Sequence, residues 1–512
     1  MAAAARLRRK KFADATDDID DVCLYDIEFS GSGPIGIQFE TDFYGNHAIV
    51  KAVVAGGAAS KVIAQQDKPT CIVQAGHMVV AVNGKDVSNE SFRAVMESIK
   101  ATTGTSSRIL RFLDPTVLAL DQMNHHATDA LLNRDNYGFA KHDDYILQYR
   151  KQLRAKKAQP NHYAVETAWA KFLQAHGGLD ALDAKYNRSD ASTRTQIQIL
   201  LEPLVLTGIP TAFRASIWGI LTNVRGYQAN YPSTYYADLL QGDLRTSMVD
   251  DIDKDVGRTY PEHAYFQQAK GRQELTNVLV AYSIHNTEVG YCQSMNFLVG
   301  ILLLFHSEAD AFWLLCVLMD QYLPTENYSR SMLGSQVDQV VFKRLVTLHL
   351  PDVARTLDAA GMSIELVTLQ WFLCVFVCTL PLDTALRVWD YMFLQGEEVL
   401  FAVALGILKA AQAKIMAASA SHSALFMIVR ELGMDLHDAD AFMEEVVTFS
   451  SPRRTTDEEQ VQSNKQNNPL QALLQSFHAF SNKLHKHSDQ DDDATNLFTY
   501  KDIQRLTRKS GY

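Results

Sequence analysis

At 512 residues, with 47% hydrophobic and 21% charged side chains, the chain has the apolar material for ordinary packed cores, and its length predicts roughly two to four domains. A formal net charge of -11 and a pI near 5.8 argue against a general affinity for nucleic acid, whose phosphates need a clustered basic face. The six cysteines (Cys23, Cys71, Cys292, Cys316, Cys374, Cys378) lie in apolar runs without C-x-x-C pairs or histidines at zinc spacing, and read as reduced, buried thiols. The 16 histidines form no metal pattern either, so no metal is expected.

Residues 1–22 open with Arg6, Arg8, Arg9, Lys10 and Lys11 and pass into an acidic run ending at Asp21, the pattern of a solvated, mobile arm. No apolar core of roughly 7 to 15 residues follows the basic run, so a secretory leader is not expected and the chain reads as cytoplasmic. In residues 23–115 the runs CLYDIEF, IGIQFE, AIVKAVV, HMVVAVNG and RILRFL alternate between Gly and polar turns and predict strands. SNESFRAVMESIK has helical period instead. A small, mostly β domain with one helix is expected.

The segments GPIGIQF (Gly33 to Phe39) and VQAGHMVVAVNGKDVSNESFRAVMESIK (Val73 to Lys100) resemble a PDZ domain. The resemblance implies a carboxylate-binding loop, here Gly33, Pro34, Ile35, Gly36 and Ile37, before a strand whose open edge takes up the C-terminal peptide of a membrane or scaffold protein. Glycines there let backbone N–H groups turn around a carboxylate; the plainer alternative is a turn before a strand. Phe92 opens the groove helix where a histidine would select a hydroxyl-bearing ligand residue, which implies an apolar residue two places before the ligand's end. His77 stands where the family often has Asp.

Residues 116–162, including NRDNYGFA (Asn133 to Ala140) and a polar helical stretch through Lys157, read as a connector. Residues 163–450 are helical by period: Ala168 to Leu173, Ile197 to Leu206, Phe213 to Leu221, Gln273 to Ile284, Ser294 to Phe305, Ala311 to Leu318, Leu366 to Thr379, Ala385 to Phe393 and Val399 to Ala418. The apolar stretch from Met295 to Met319 is broken by His306, Glu308 and Asp310 and falls short of the roughly 18 to 20 residues of a bilayer helix. In residues 451–512, Ser451 to Asn468 reads as a linker, Pro469 to Leu484 as an amphipathic helix and DQDDDATN near Asp489 as a further solvated break.

Two stretches carry the candidate chemistry. IDKDVGRTYPEHAYF (Ile252 to Phe266) sets Arg258 just before Thr259-Tyr260-Pro261, and the residue before the proline is expected to be extended, so Arg258 falls on a loop. VGYCQSMNFLVGILLL (Val289 to Leu304) sets Gln293 at the entry of a very apolar helix, where a polar side chain faces a partner or caps backbone groups.

With TGIPTAFRASIWGIL (Thr207 to Leu221) and LQWFLCVFVCTLPLDTALRVWDYMFLQG (Leu369 to Gly396), these motifs occur in the order and approximate spacing of the TBC domain of Rab GTPase-activating proteins. The resemblance spans about Trp169 to Val447 and implies an all-α domain. The expected fold class is therefore multidomain, a small mostly-β PDZ-like domain followed by a large all-α TBC domain.

The same resemblance implies a partner, a GTP-bound Rab-type small GTPase, and a role in vesicle traffic, peripheral on endomembranes through its partners. Arg258 would be an arginine finger and Gln293 a glutamine supplied in trans to hold the attacking water. Asp255 would orient the finger, Tyr291 would shape the glutamine's loop and Asn296 would tie it down. Ser294 departs from the family's usual glycine after the glutamine, a position where φ > 0 would strain serine. Trp218, Arg214, Trp371, Pro381, Arg387, Trp389 and Asp390 of the other motifs are structural, with Arg387 and Asp390 spaced for a local pair.

No Walker sequence is present, so GTP and magnesium belong to the partner, and the chain needs no cofactor of its own. It would not be an enzyme in its own right but would complete the GTPase's active site. Two other readings stay open: a catalytically weak Rab-binding effector, whose signature would be loss of Arg258 or Gln293, and a PDZ-type scaffold.

Overall fold

The computed structural model describes residues 24–113 apart from 31–32, 42–47, 55–56, 60–72, 74–75, 89 and 104–106; residues 134–153 apart from 143–144, 147 and 150; and residues 164–450 apart from 243–245, 324 and 330–331. The arm, the linker 451–468, the helix 469–484 and the acidic run near Asp489 lie outside the described residues, as do Cys23 and Cys71. Contacts divide the chain into two compact units, residues 1–281 with 299–314, and residues 282–298 with 315–512.

The first unit begins with an antiparallel sheet of Leu24–Ser30 (β1), Ile37–Thr41 (β2), Ala48–Val53 (β3), Met78–Val82 (β4), Lys85–Asp86 (β5) and Ser107–Leu113 (β6), in the order β1-β6-β4-β3-β2 with β5 on β4. Alternation decides which face is buried: Tyr25, Ile27 and Phe29 of β1 point into the core while Asp26 and Glu28 are exposed. Asp26 instead meets Arg111 of β6 on the outer face through two bonds of 2.8 Å.

Phe92–Ala101 (α1) is capped by Ser91, whose hydroxyl accepts from the Ala94 N–H at 3.3 Å, and buries Val95 and Ile99 on the sheet. Each such aliphatic side chain stabilises the domain by about 1.5–3 kcal/mol. The two-residue strand β5 was too short to show an alternation in the sequence.

From Ala164 on, the first unit carries the helices Ala164–His176 (α2), Leu179–Asn187 (α3), Ala191–Thr207 (α4), Thr211–Leu221 (α5), Val224–Gln228 (α6), Tyr235–Leu239 (α7), Thr246–Gly257 (α8) and Ala264–Gln267 (α9). Ala269–His285 (α10), Met295–Phe305 (α11) and Glu308–Val317 (α12) contribute residues to both units. Two fully buried indoles organise the first unit: Trp169 donates its Nε1–H to the Gly208 carbonyl at 2.9 Å, and Trp218 packs edge-on against Phe305.

The second unit adds a π-helical turn (Leu318–Tyr322) and the helices Thr325–Tyr328 (α13), Leu333–His349 (α14), Pro351–Ala359 (α15), Glu365–Leu373 (α16), Leu382–Gln395 (α17), Val399–Ala417 (α18), His422–Arg430 (α19) and Ala439–Ser450 (α20). Arg387 of α17 bonds Asp440 of α20 at 2.6 Å, a longer reach than the local pairing its sequence neighbourhood suggested. Helix α16 stops at Leu373, not at Thr379 as its apolar run suggested, because Val375 and Phe376 take positive φ of 45° and 62°. The carbonyl this turn releases from Val375 accepts the buried Trp389 Nε1–H at 3.0 Å. Helix α18 alone among the described residues is long and apolar enough to cross a membrane, and 61% of that stretch is buried within the protein.

Candidate functional site

Arg258 stands in the turn that ends α8. Ile252 and Val256 bury one stripe of that helix, and the same stripe carries Asp255 inward until its side chain is only 7% exposed. Arg258 comes one turn later on the solvent side, with its side chain 58% exposed. Its guanidinium reaches back to Asp255 Oδ1, with Nε at 2.9 Å and Nη2 at 2.6 Å. The backbone closes around the same residue: the Arg258 N–H and the Thr259 hydroxyl donate to the Asp255 carbonyl at 3.2 and 2.6 Å.

Tyr260, expected to be extended ahead of Pro261, has φ of 45°. Its ring is held between Phe139 and Phe266, and its carbonyl accepts the His263 N–H at 2.9 Å. Gly300 makes room for it, since a Cβ there would sit 2.6 Å from Tyr260 Cε2. Packing thus overrides the backbone preference that the proline imposes.

Gln293 belongs to the second unit, in the turn before α11, and is exposed. Asn286, just past the preceding helix, closes the turn that follows it by accepting the Val289 N–H on its side-chain oxygen at 3.1 Å. Tyr291 is half-buried, and the Cys292 N–H points at Met295 Sδ at 3.3 Å. Asn296 is 1% exposed and its Oδ1 accepts the Ser294 N–H at 3.2 Å.

Ser294 takes φ of 103°, the left-handed region that favours glycine. The Cys378 side chain, opposed by burial and aided by a hydrogen bond from the buried Ser294 hydroxyl, holds the Cys374 thiol below the usual thiol range. The sequence signalled the unusual serine but not its distant thiol partner.

The predicted peptide loop sits at the end of the sheet, before the outermost strand β2. Gly33 and Pro34 are exposed, Ile35 is buried in the core, and Gly36 has φ of 74°. The Ile35 and Gly36 carbonyls accept the Ala59 and Val54 N–H groups at 2.8 and 2.7 Å. Gly36 lies so close to Gly57 that a Cβ would come within 2.7 Å of its Cα. Ile37 of β2 and Phe92 of α1, with Phe39 and Met96, pack half-buried on one core. Arg108, 3% exposed, donates to the Gly33 carbonyl at 2.5 Å from an inward position of β6.

Residues 211–416, which include both Arg258 and Gln293, match the family model of the Rab-GTPase-TBC domain. The growth hormone-regulated TBC protein 1 of Xenopus laevis is 32% identical over 311 residues, covering 58% of this chain and 83% of the relative. The chain belongs to the TBC-domain family. The human growth hormone-regulated TBC protein 1 is 34% identical over 290 residues, 56% of this chain and 80% of that protein. Among solved structures, the TBC domain of a Chlamydomonas flagellar RabGAP superposes with a TM-score of 0.51 at 25% identity, over 62% of this chain and 98% of that one. The all-α character expected of the TBC domain is thereby borne out, and a small antiparallel sheet precedes it.

Proposed function

We propose that this chain is a GTPase-activating protein for a Rab-type small GTPase of vesicle traffic, and that it supplies Arg258 and Gln293 in trans. The carrying observation is the exposed Arg258 guanidinium held on the buried Asp255 carboxylate within the segment that matches the Rab-GTPase-TBC model. Intrinsic GTP hydrolysis is slow because charge on the transferring phosphoryl group is poorly neutralised and the attacking water poorly held. A planar guanidinium donates to two phosphate oxygens at once, and such a finger contributes about 10³ to 10⁵ in rate, about 4–7 kcal/mol. An exposed amide on a turn held by the Asn296 side chain suits the second task, orienting the water. GTP and magnesium remain the partner's.

The sheet domain, in this reading, is PDZ-like and places the activator at its membrane by taking up a C-terminal peptide along β2. The outermost position of β2, the glycine turn before it and the half-buried Ile37, Phe39 and Phe92 support that role. The protein would then work in the cytoplasm at endomembrane surfaces.

Single-turnover GTP hydrolysis across a panel of purified Rab GTPases, with the parent chain and Arg258→Ala side by side, tests the proposal. Stimulation of one or a few Rabs that vanishes in the variant supports it; binding of GTP-loaded Rab without stimulation would move the chain to the effector reading.

A further inference from the structure

The segment just before the helical domain, outside residues 211–416, is built into the arginine turn. Arg134 to Ala140 folds back on itself: Asp135, 3% exposed, accepts the Tyr137 and Phe139 N–H groups on one oxygen at 3.0 Å each, and Arg134 Nη1 donates to the Gly138 carbonyl at 2.7 Å. The folded segment adds to residues 262–263 as an antiparallel bridge, Phe139 opposite His263, with the Ala140 N–H on the Glu262 carbonyl at 3.1 Å.

Side chains complete the joint. His263, 1% exposed, bonds the Tyr137 carbonyl through Nε2 at 2.9 Å while its Nδ1 accepts the Tyr265 N–H at 3.3 Å, which makes Nε2 the protonated nitrogen. Phe139 sets its ring edge-on to Tyr260, centroids 5.1 Å apart, and against the His263 ring at 4.7 Å. Gly138 has φ of 95°, and a Cβ there would lie 2.9 Å from His263 Nε2. These contacts fall on Tyr260 to His263, directly after Arg258, whereas Asp255 holds the turn from the other side.

We propose that residues 134–140 are a positioning brace for the Arg258 turn: Asp255 fixes its entrance and the Phe139–His263 joint fixes its exit, so the finger is presented already ordered. The inference rests on the arginine-finger reading above. A finger left to find its place would lose rate to ordering, since a misplacement of about 1 Å costs about 10²-fold. The brace acts through Arg258 and touches no substrate.

The test uses the full chain in two arms. In the first, hydrogen–deuterium exchange compares the parent with Gly138→Ala and with the milder Phe139→Leu, which keeps apolar volume. The brace predicts that amides of residues 256–263 exchange at least about fivefold faster in both variants, with the α18 amides unchanged as a control for global unfolding. Unchanged exchange at 256–263, or equal acceleration in α18, overturns the brace.

In the second arm, a Rab that the parent stimulates is assayed with Arg258→Ala, Phe139→Leu, His263→Leu and His263→Gln. The brace predicts that Phe139→Leu and His263→Leu lower the maximal stimulated rate about tenfold with half-saturation by Rab moved less than about twofold, and that His263→Gln, which can still donate to the Tyr137 carbonyl, recovers part of the loss. A normal maximal rate in these variants, or a loss wholly in half-saturation, overturns the brace while Arg258→Ala still abolishes stimulation. Full stimulation by Arg258→Ala overturns the finger reading itself.

Discussion

Arg258 places two nitrogens on a single oxygen of Asp255, Nε at 2.9 Å and Nη2 at 2.6 Å from Oδ1. The acceptor is buried and the donor half exposed, and on the arginine-finger proposal the carboxylate serves to set the arginine's direction more than to stabilise the fold. Asp255→Ala is expected to lower stimulated hydrolysis about ten- to hundredfold, about 1.4–2.7 kcal/mol, with Rab affinity nearly unchanged. Asp255→Asn, which keeps an acceptor oxygen, should lose less. Single-turnover rates at saturating activator measure the difference, and equal rates in all three proteins would remove Asp255 from the mechanism.

The serine beside Gln293 leads to a counterintuitive expectation. At φ of 103°, serine carries backbone strain of about 1–2 kcal/mol that glycine would not, partly offset by the bond to Cys374 and by glycine's greater unfolded-state freedom. Ser294→Gly should therefore leave stability within about 1 kcal/mol of the parent and retain stimulation. Ser294→Val should destabilise by at least about 2 kcal/mol and slow stimulated hydrolysis. Urea denaturation and the hydrolysis assay decide; an unaffected Val variant would mean the turn relaxes to ordinary angles.

Gly36 is the position where the sheet domain is most exposed to damage by one methyl group. A Cβ would both strain φ of 74° and collide with the Gly57 backbone, costing about 2–4 kcal/mol together. Gly36→Ala should speed hydrogen exchange in β2 and β3 and, on the proposed peptide-binding role, weaken capture of C-terminal peptides. Unaltered exchange in both strands would contradict the close approach.

His263 gives a pH signature. Burial, opposed by its bond to the Tyr137 carbonyl, lowers its pKa from 6.5 to about 3. A base whose folded pKa lies below its unfolded value favours the folded state while neutral, so its contribution is complete above pH 6.5 and is lost as pH falls from 6.5 toward 3. The expected slope from this residue is at most about 1.4 kcal/mol per pH unit. Urea denaturation at pH 7, 6 and 5 should show a shallower acid loss in His263→Gln than in the parent; parallel curves would mean His263 charges inside the fold.

Elements with strong periodicity were legible: the alternating Tyr25, Ile27 and Phe29 predicted β1, and helix α18 runs over Val399–Ala417 almost as read. The apolar run after Leu366 was misread past Leu373, because a continuous apolar stretch cannot distinguish a helix from a buried turn. At the candidate site, Asp255 was singled out through the family resemblance, and the fold adds its bond to Arg258 one turn on. Phe139 and His263 were not, since no local pattern announces a bridge between residues so far apart in the chain. Arg108 escaped for a related reason: its bond to the Gly33 carbonyl is a contact that the sheet creates.

The joint between Phe139 and His263 bears on how the protein may be cut. A fragment trimmed to residues 211–416 would keep Arg258 and Gln293 yet expose the socket that Phe139 fills and strip the buried His263 Nε2–H of its acceptor. On the brace proposal the minimal activator should therefore begin before Arg134, and a shorter piece that folds but stimulates poorly would reflect a missing bridge, not a missing catalytic group.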